Sequence, residues 1–306
     1  MTKIISAIPG ISPTMVKTIL VTGATGTVGS EVVNQLSNIK SDFKLKAAVH
    51  SVEDAKKIQN FQRVEPIHMD YDTQEGLQAA FKEVDKLFLL THASPKSAAH
   101  ETNLITEAKK SGIRHIVKQS IMGADLKADV EAMRLHRQTE KVIEESGIPY
   151  TFLRPNEFMQ GLINFQASSI KNNGAFYVPA EDSKVSFVDA RVIASVAVKA
   201  LVDGEEHFNK TYMITGSEAL SYYRAAEILS NATGKKIDYV NTSDEEARGA
   251  MKEIGLDDWL IDTISDLYTL YRKGYASHVS RAIEEVTGKK PKTFAQFAKD
   301  YAEAFR

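Results

Sequence analysis

The chain has 306 residues, enough for one large domain or two small ones at about 100–200 residues each. Hydrophobic residues make up 43 % and charged residues 25 %, which excludes a disordered chain or a collagen-like repeat, and the absence of cysteine excludes thiol catalysis, thiolate metal sites and disulfides. Lys plus Arg is 38 and Asp plus Glu 40, so a net charge of -2 gives no overall pull toward nucleic acid or an anionic membrane.

Residues 1–17 carry Lys3 and several apolar side chains in the manner of a signal peptide, but Pro9, Gly10 and Pro13 interrupt the apolar run. We read them as an N-terminal extension, mobile or loosely packed, with Met15 as an alternative start. No run approaches the ~18 apolar residues of a membrane span. With no cysteine either, the expected location is cytoplasmic.

The first strand is Thr18–Thr22, stopped by Gly23. Val28, Val32, Val33 and Leu36 then recur at helical spacing. Strand Leu45–Val49, helix Val52–Ile58 and a weaker strand Val64–His68 follow. Thr73 is the expected N-cap of a helix running to Phe81. Strand Lys86–Leu90 leads to a helix over Ala98–Lys110, and strand Ile113–Lys118 to a helix over Asp129–Ser146 that Gly147 ends. Ile148–Leu153 is strand again. Strands alternating with helices predict an α/β, Rossmann-like, doubly wound parallel sheet covered on both faces.

After Arg154 the rhythm breaks at Pro155, Gly161, Gly174 and Pro179. Two further strands, Ala175–Val178 and Thr211–Ile214, flank a helix over Asp189–Val202, and the tail from Ser243 reads as helix. We therefore expect a dinucleotide-binding domain over 18–154. Residues 155–306 would form an interleaved substrate-binding lobe, small and mainly helical, whose strands return to the first sheet.

Gly23, Gly26 and Gly29 stand at G-x-x-G-x-x-G spacing between the first strand and the first helix. The first glycine permits a tight turn, the second a close pyrophosphate, the third close packing of helix on sheet. The helix N-terminus would meet the phosphates. At the end of the second strand, Val49-His50-Ser51 has no acid for a ribose diol. His50 and Ser51 could donate to a 2′-phosphate, with Lys56 and Lys57 one helix turn on, so NADP(H) is preferred over NAD(H). An exposed loop histidine is the other reading of His50. Asp70 either accepts from an adenine amino group or caps the following helix.

With these motifs the chain resembles the atypical short-chain dehydrogenases, and within them the NmrA-like group of type-2 quinone reductases and triphenylmethane-dye reductases. The stretches GATGTVGSEVV, HRQTEKVIEESGIPYTFLRPNEFMQ, KVSFVDARVIASVA and TGKKPKTFAQFAKDY carry the resemblance, from Thr18 to Phe305. It implies that Gly23, Thr25, Gly26, Thr27 and Val28 take the dinucleotide phosphates, and that Thr91, His92 and Ala93 line the ribose and nicotinamide. It places Ser120 at the cleft, and Asn156, Glu157, Phe158 and Met159 beside the substrate. The Tyr-x-x-x-Lys of ordinary short-chain dehydrogenases occurs nowhere; the corresponding helix carries His136-Arg137-Gln138-Thr139-Glu140.

His136 and Glu140 share a helical face. In one reading His136 protonates or orients a substrate while Glu140 positions its ring; in the other they form a buried structural pair. Ser120 either bonds a substrate carbonyl or caps the segment after it. His92 and Ser94 stand where α/β ligands bind, or are plain loop residues. Trp259, Tyr268, Tyr271 and Tyr275 form a helical stripe expected to pack the lobe. No third ligand at useful spacing supports a metal site.

The leading expectation is an NAD(P)H-dependent reductase that passes hydride to a quinone-like or other conjugated small molecule without a Tyr-x-x-x-Lys relay. The alternative is a non-catalytic NAD(P)-binding redox sensor of the NmrA type, acting through a protein partner. A homodimer is left open.

Overall fold

The computed structural model describes residues 18–306; the expected extension over 1–17 lies outside them. Seven strands form one sheet, and six alternate with helices in the first half of the chain. They run β1 (Thr18–Val21), α1 (Gly29–Ser37), β2 (Lys44–Val49), α2 (Val52–Ile58), β3 (Val64–His68) and α3 (Gln74–Phe81). Next come β4 (Lys86–Leu89), α4 (Ser97–Lys110), β5 (His115–Gln119), α5 (Glu131–Ser146) and β6 (Tyr150–Pro155). Gly147 ends α5 in the left-handed region at φ 77°. Thr73 holds the N-cap position of α3, but its side chain makes no capping bond.

A π-helical turn over Leu162–Gln166 leads to α6 (Ala167–Asn173), β7 (Ala175–Val178) and β8 (Lys184–Val185). Then follow α7 (Ala190–Val202), β9 (Lys210–Ile214), β10 (Leu220–Ser221), α8 (Tyr222–Thr233) and β11 (Asp238–Asn241). The tail is helical as expected: α9 (Asp244–Glu253), α10 (Asp258–Arg272), α11 (Ala282–Thr287) and α12 (Phe294–Asp300).

The main sheet has the order β3-β2-β1-β4-β5-β6-β9, and every pairing in it is parallel. The order reverses between β1 and β4, which opens a crevice at their C-terminal ends. Side chains from α1, α7 and α11 pack one face of the sheet; α3, α4 and α5 pack the other. The expected strand Ala175–Val178 is present, but it pairs with β11 outside the main sheet. A second core of Phe176, Phe187, Tyr222, Phe294 and Phe297 fills the lobe.

His115 on β5 is fully buried, its Nε2 2.9 Å from the Thr151 hydroxyl and its Nδ1 without a partner. Burial, then the nearby charges of Lys86 and His207, push it down to about 3. An unfolded histidine titrates near ~6.5. Between those values the unfolded chain binds a proton that the folded chain refuses, so this site costs stability as pH falls through the window. The expected slope is up to about 1.4 kcal/mol per pH unit, and His115→Gln should flatten it. Urea melts at about pH 7, 5.5 and 4 measure this, and an unchanged slope refutes it.

Candidate active site

The loop between β1 and α1 is built around its glycines. Gly23 sits at φ 61°, and a Cβ there would stand 2.9 Å from the Leu90 carbonyl oxygen. A Cβ on Gly29 would run into the Gly23 carbonyl. Gly26 differs: it is exposed, and its nearest neighbour to a Cβ is the Gly23 oxygen at 3.4 Å. Nothing in the protein's own packing demands glycine there, whereas a ligand lying on the backbone would. Thr25 is half-buried, Thr27 exposed, and the Val28 side chain is buried in the core, so only its backbone faces the loop. No side chain caps the N-terminus of α1, which leaves that end of the helix to an anion. These residues fit a dinucleotide pyrophosphate.

The strand ends beside the loop are tied together. The Thr22 hydroxyl donates to the Leu90 carbonyl at 2.8 Å and accepts from the Leu90 amide at 2.9 Å. Thr91 is buried and donates to Glu101 on α4 at 3.2 Å; His92 and Ala93 are exposed on the loop that follows. Glu101 also accepts from Lys118 at 2.5 Å, a wholly buried ion pair beneath the crevice. His50 is exposed at the tip of β2, its ring 4.6 Å from Tyr71 in an edge-on contact. Ser51 caps α2 by accepting from the Asp54 amide at 3.1 Å. Asp70 accepts from the Asp72 amide at 2.9 Å, so it turns the segment before α3 rather than capping the helix.

A cavity of about 310 Å³ opens at the ends of β5 and β6. Ser120, His136, Asn156, Glu157 and Phe158 line it from the sheet side, and α10 closes it with Leu260, Ile264, Leu267 and Tyr271. The Trp259 indole donates to Glu131 at 2.8 Å and ties α10 to the start of α5. A second chamber of about 390 Å³ lies between α6, α9 and α10 and shares Phe165 and Ile264 with the first. Its lining includes Met251, Ile254, Leu256 and Tyr268 and has no charged residue.

Two sequence expectations for α5 are corrected. Glu140 does not meet His136. It is fully buried and accepts from Ser120 at 2.7 Å, from Arg154 at 2.9 and 2.5 Å, and from Arg137 at 3.2 Å. Helical spacing brings the two residues to one face, but Arg154 on β6 and Ser120 after β5 draw the carboxylate toward the sheet. Ser120 therefore spends its hydroxyl hydrogen on Glu140 and offers a ligand only an acceptor oxygen. His136 stands half-buried in the cavity wall. Burial, then Lys118 and Arg154, hold its pKa well below the usual histidine value, so the ring is neutral at pH 7.

Of the four residues expected beside the substrate after β6, Asn156, Glu157 and Phe158 line the cavity and Met159 does not. Asn156 is buried and its amide donates to Ser186 at 2.7 Å and to the Ala276 carbonyl at 2.8 Å, so it braces the lobe while bordering the cavity. Met159 belongs to the lobe core and does not line the cavity. Tyr271 and Tyr275, expected as lobe packing, do line it. Glu157 lines the cavity as expected; its contact with Tyr271 of α10 is what the sequence did not reveal. Among the described residues Asp203, Glu206 and His207 bring ligand-type atoms within 4.8 Å of one another, but Lys199 already pairs with Asp203 and none of the three lines the cavity.

The model of the NmrA-like family matches residues 15–298. The chain belongs to the NmrA-like family. Against the NAD(P)H azoreductase of Xenophilus azovorans it is 39 % identical over 287 residues, covering 94 % of this chain and 99 % of that protein. The structure of Escherichia coli quinone oxidoreductase QOR2 complexed with NADPH superposes with a TM-score of 0.81 at 26 % identity, covering 92 % of this chain and 99 % of that one. The Citrobacter sp. triphenylmethane reductase complexed with NADP(H) gives 0.81 at 27 % identity, covering 93 % and 99 %. Among the described residues no helix is long and apolar enough to cross a membrane.

Proposed function

We propose that this NAD(P)H-dependent oxidoreductase reduces a flat, conjugated small molecule, such as a quinone, an azo compound or a dye, held in the cavity at the ends of β5 and β6. The observation that carries this reading is the cavity itself: mostly apolar, closed by α10, and beside a glycine loop that fits pyrophosphate. The relatives' names point the same way. When bound, the pyridine nucleotide supplies hydride. Gly23, Thr25, Gly26, Thr27 and the Val28 backbone would hold its phosphates, and Thr91, His92 and Ala93 would border its ribose and nicotinamide.

NADP(H) is the preferred cofactor in this proposal. His50 is exposed, Ser51 keeps its hydroxyl hydrogen free while capping α2, and Val49-His50-Ser51 contains no carboxylate to repel a 2′-phosphate. Asp70 would face the adenine side. His136, being neutral, would hydrogen-bond and orient the acceptor, and Glu140 would act only through Ser120 and Arg154. Acceptors too long for the first chamber would pass Phe165 into the second. Orientation of a delocalised acceptor over a hydride source is itself worth several kcal/mol of barrier.

Purified protein should oxidise NADPH in the presence of a small quinone and azo panel, with a higher kcat/KM for NADPH than for NADH. Absence of turnover with every acceptor, alongside binding that differs between oxidised and reduced cofactor, would overturn the enzyme reading in favour of a sensor.

A further inference from the structure

We propose that Glu157 is the proton donor of the reduction, an inference that rests on the reductase reading above. Glu157 stands two residues after β6, half-buried in the wall of the cavity. Its Oε2 accepts a 2.7 Å hydrogen bond from the Tyr271 hydroxyl of α10. Its Oε1 takes no hydrogen bond from the described residues and lies beside Gly161, another cavity residue. No Lys, Arg or His among the described residues forms an ion pair with it. The carboxyl is thus fixed at one oxygen and open to the cavity at the other.

The titratable groups around it leave the proton nowhere better to stay. Tyr271 and Tyr268 face it from α10 and Tyr222 from the start of α8; burial pushes all three phenols up, so they remain neutral. His136 on α5, which lines the same cavity, is kept unprotonated by burial, Lys118 and Arg154. Burial raises the Glu157 carboxyl itself, against the opposing pull of the Tyr271 hydrogen bond. Glu140 is saturated by Ser120 and two arginines and cannot take this part. In this proposal Glu157, from the loop after β6, supplies the proton that a Tyr-x-x-x-Lys would have supplied from α5.

Reduction of a quinone or azo compound adds a hydride and a proton. Hydride from the reduced nicotinamide forms a bond at one end of the conjugated system, and an electron pair moves to the oxygen or nitrogen at the other end. The Glu157 O–H bond breaks, a new O–H or N–H bond forms at that atom, and the carboxylate regains a proton from water. A cationic triarylmethane dye balances differently: hydride alone converts the cation to the neutral product, and no proton is consumed.

That difference makes the test. Glu157→Gln keeps the shape and an acceptor for Tyr271 but has no acidic proton. With a benzoquinone, kcat should fall on the order of 10²-fold or more while KM moves little. With a cationic triarylmethane dye, turnover should stay within about threefold. Independently, the infrared carboxyl band that Glu157→Gln removes from the cofactor-free protein should titrate above the ordinary Glu range. An equal loss with both acceptors, no loss with either, or a carboxyl titrating in the ordinary range would overturn the assignment. If the unsubstituted protein reduces the quinone but not the dye, the kcat-against-KM split and the infrared titration decide. Inertness toward both would sink the reductase reading, and this donor with it.

Discussion

Gly26→Asp is expected to remove pyridine-nucleotide binding while leaving the fold intact. The asymmetry follows from what each glycine of the loop meets. Gly23 needs its positive φ, and Gly29 would drive a Cβ into the Gly23 carbonyl, so changes at either disturb the protein before any ligand arrives. Gly26 lies outside the left-handed region, a Cβ added to it would come no closer than 3.4 Å to any atom, and it faces solvent. A side chain there meets only what binds, and a carboxylate adds repulsion against phosphate to the lost space. We expect NADPH affinity to fall at least ~100-fold, about 2.7 kcal/mol, with a melting temperature shifted by no more than a few degrees. Isothermal calorimetry and a thermal melt on the same sample check both halves. Undiminished binding would mean that the pyrophosphate does not lie on this loop.

The parts of the molecule that repeat were legible in the sequence. Five βα steps announce themselves because most of the strands are short apolar runs and most of the helices show a 3.6-residue stripe, and the glycine triplet falls at their head. The lobe was harder. β11 is four residues long and only Tyr239 in it is buried, so no alternation marks it, and its partner β7 lies 63 residues earlier at Ala175 against Asp238. The site was read only in part for a related reason. Spacing on α5 placed His136 and Glu140 on one face, but not which neighbour that face meets. Arg154 comes from β6, Ser120 from the end of β5 and Tyr271 from α10, and such partners are set by tertiary packing across large sequence separations. Lys118 is the plainest case: a lysine in a central strand, fully buried, whose partner Glu101 sits on the preceding helix with no local charge pattern to reveal it.

That buried pair supports the second large effect. Lys118→Met should destabilise the protein by about 3–5 kcal/mol, because it strands the Glu101 carboxylate where little but the Thr91 hydroxyl can reach it. Lys118→Met combined with Glu101→Leu should recover most of the loss, since two apolar side chains of similar length replace two charges that both had to leave water. Denaturant melts of the two single variants and the double variant give the coupling directly; additive effects would show that the ion pair is not energetically linked. The pair also reaches the site. Lys118 is one of the two cations that hold the His136 ring neutral, so in the stable double variant the His136 pKa should move up toward the ordinary histidine value. Observed by NMR in that variant, an unmoved His136 would leave burial and Arg154 as the whole cause of its neutrality, and would separate the stability of the sheet from the electrostatics of the cavity above it.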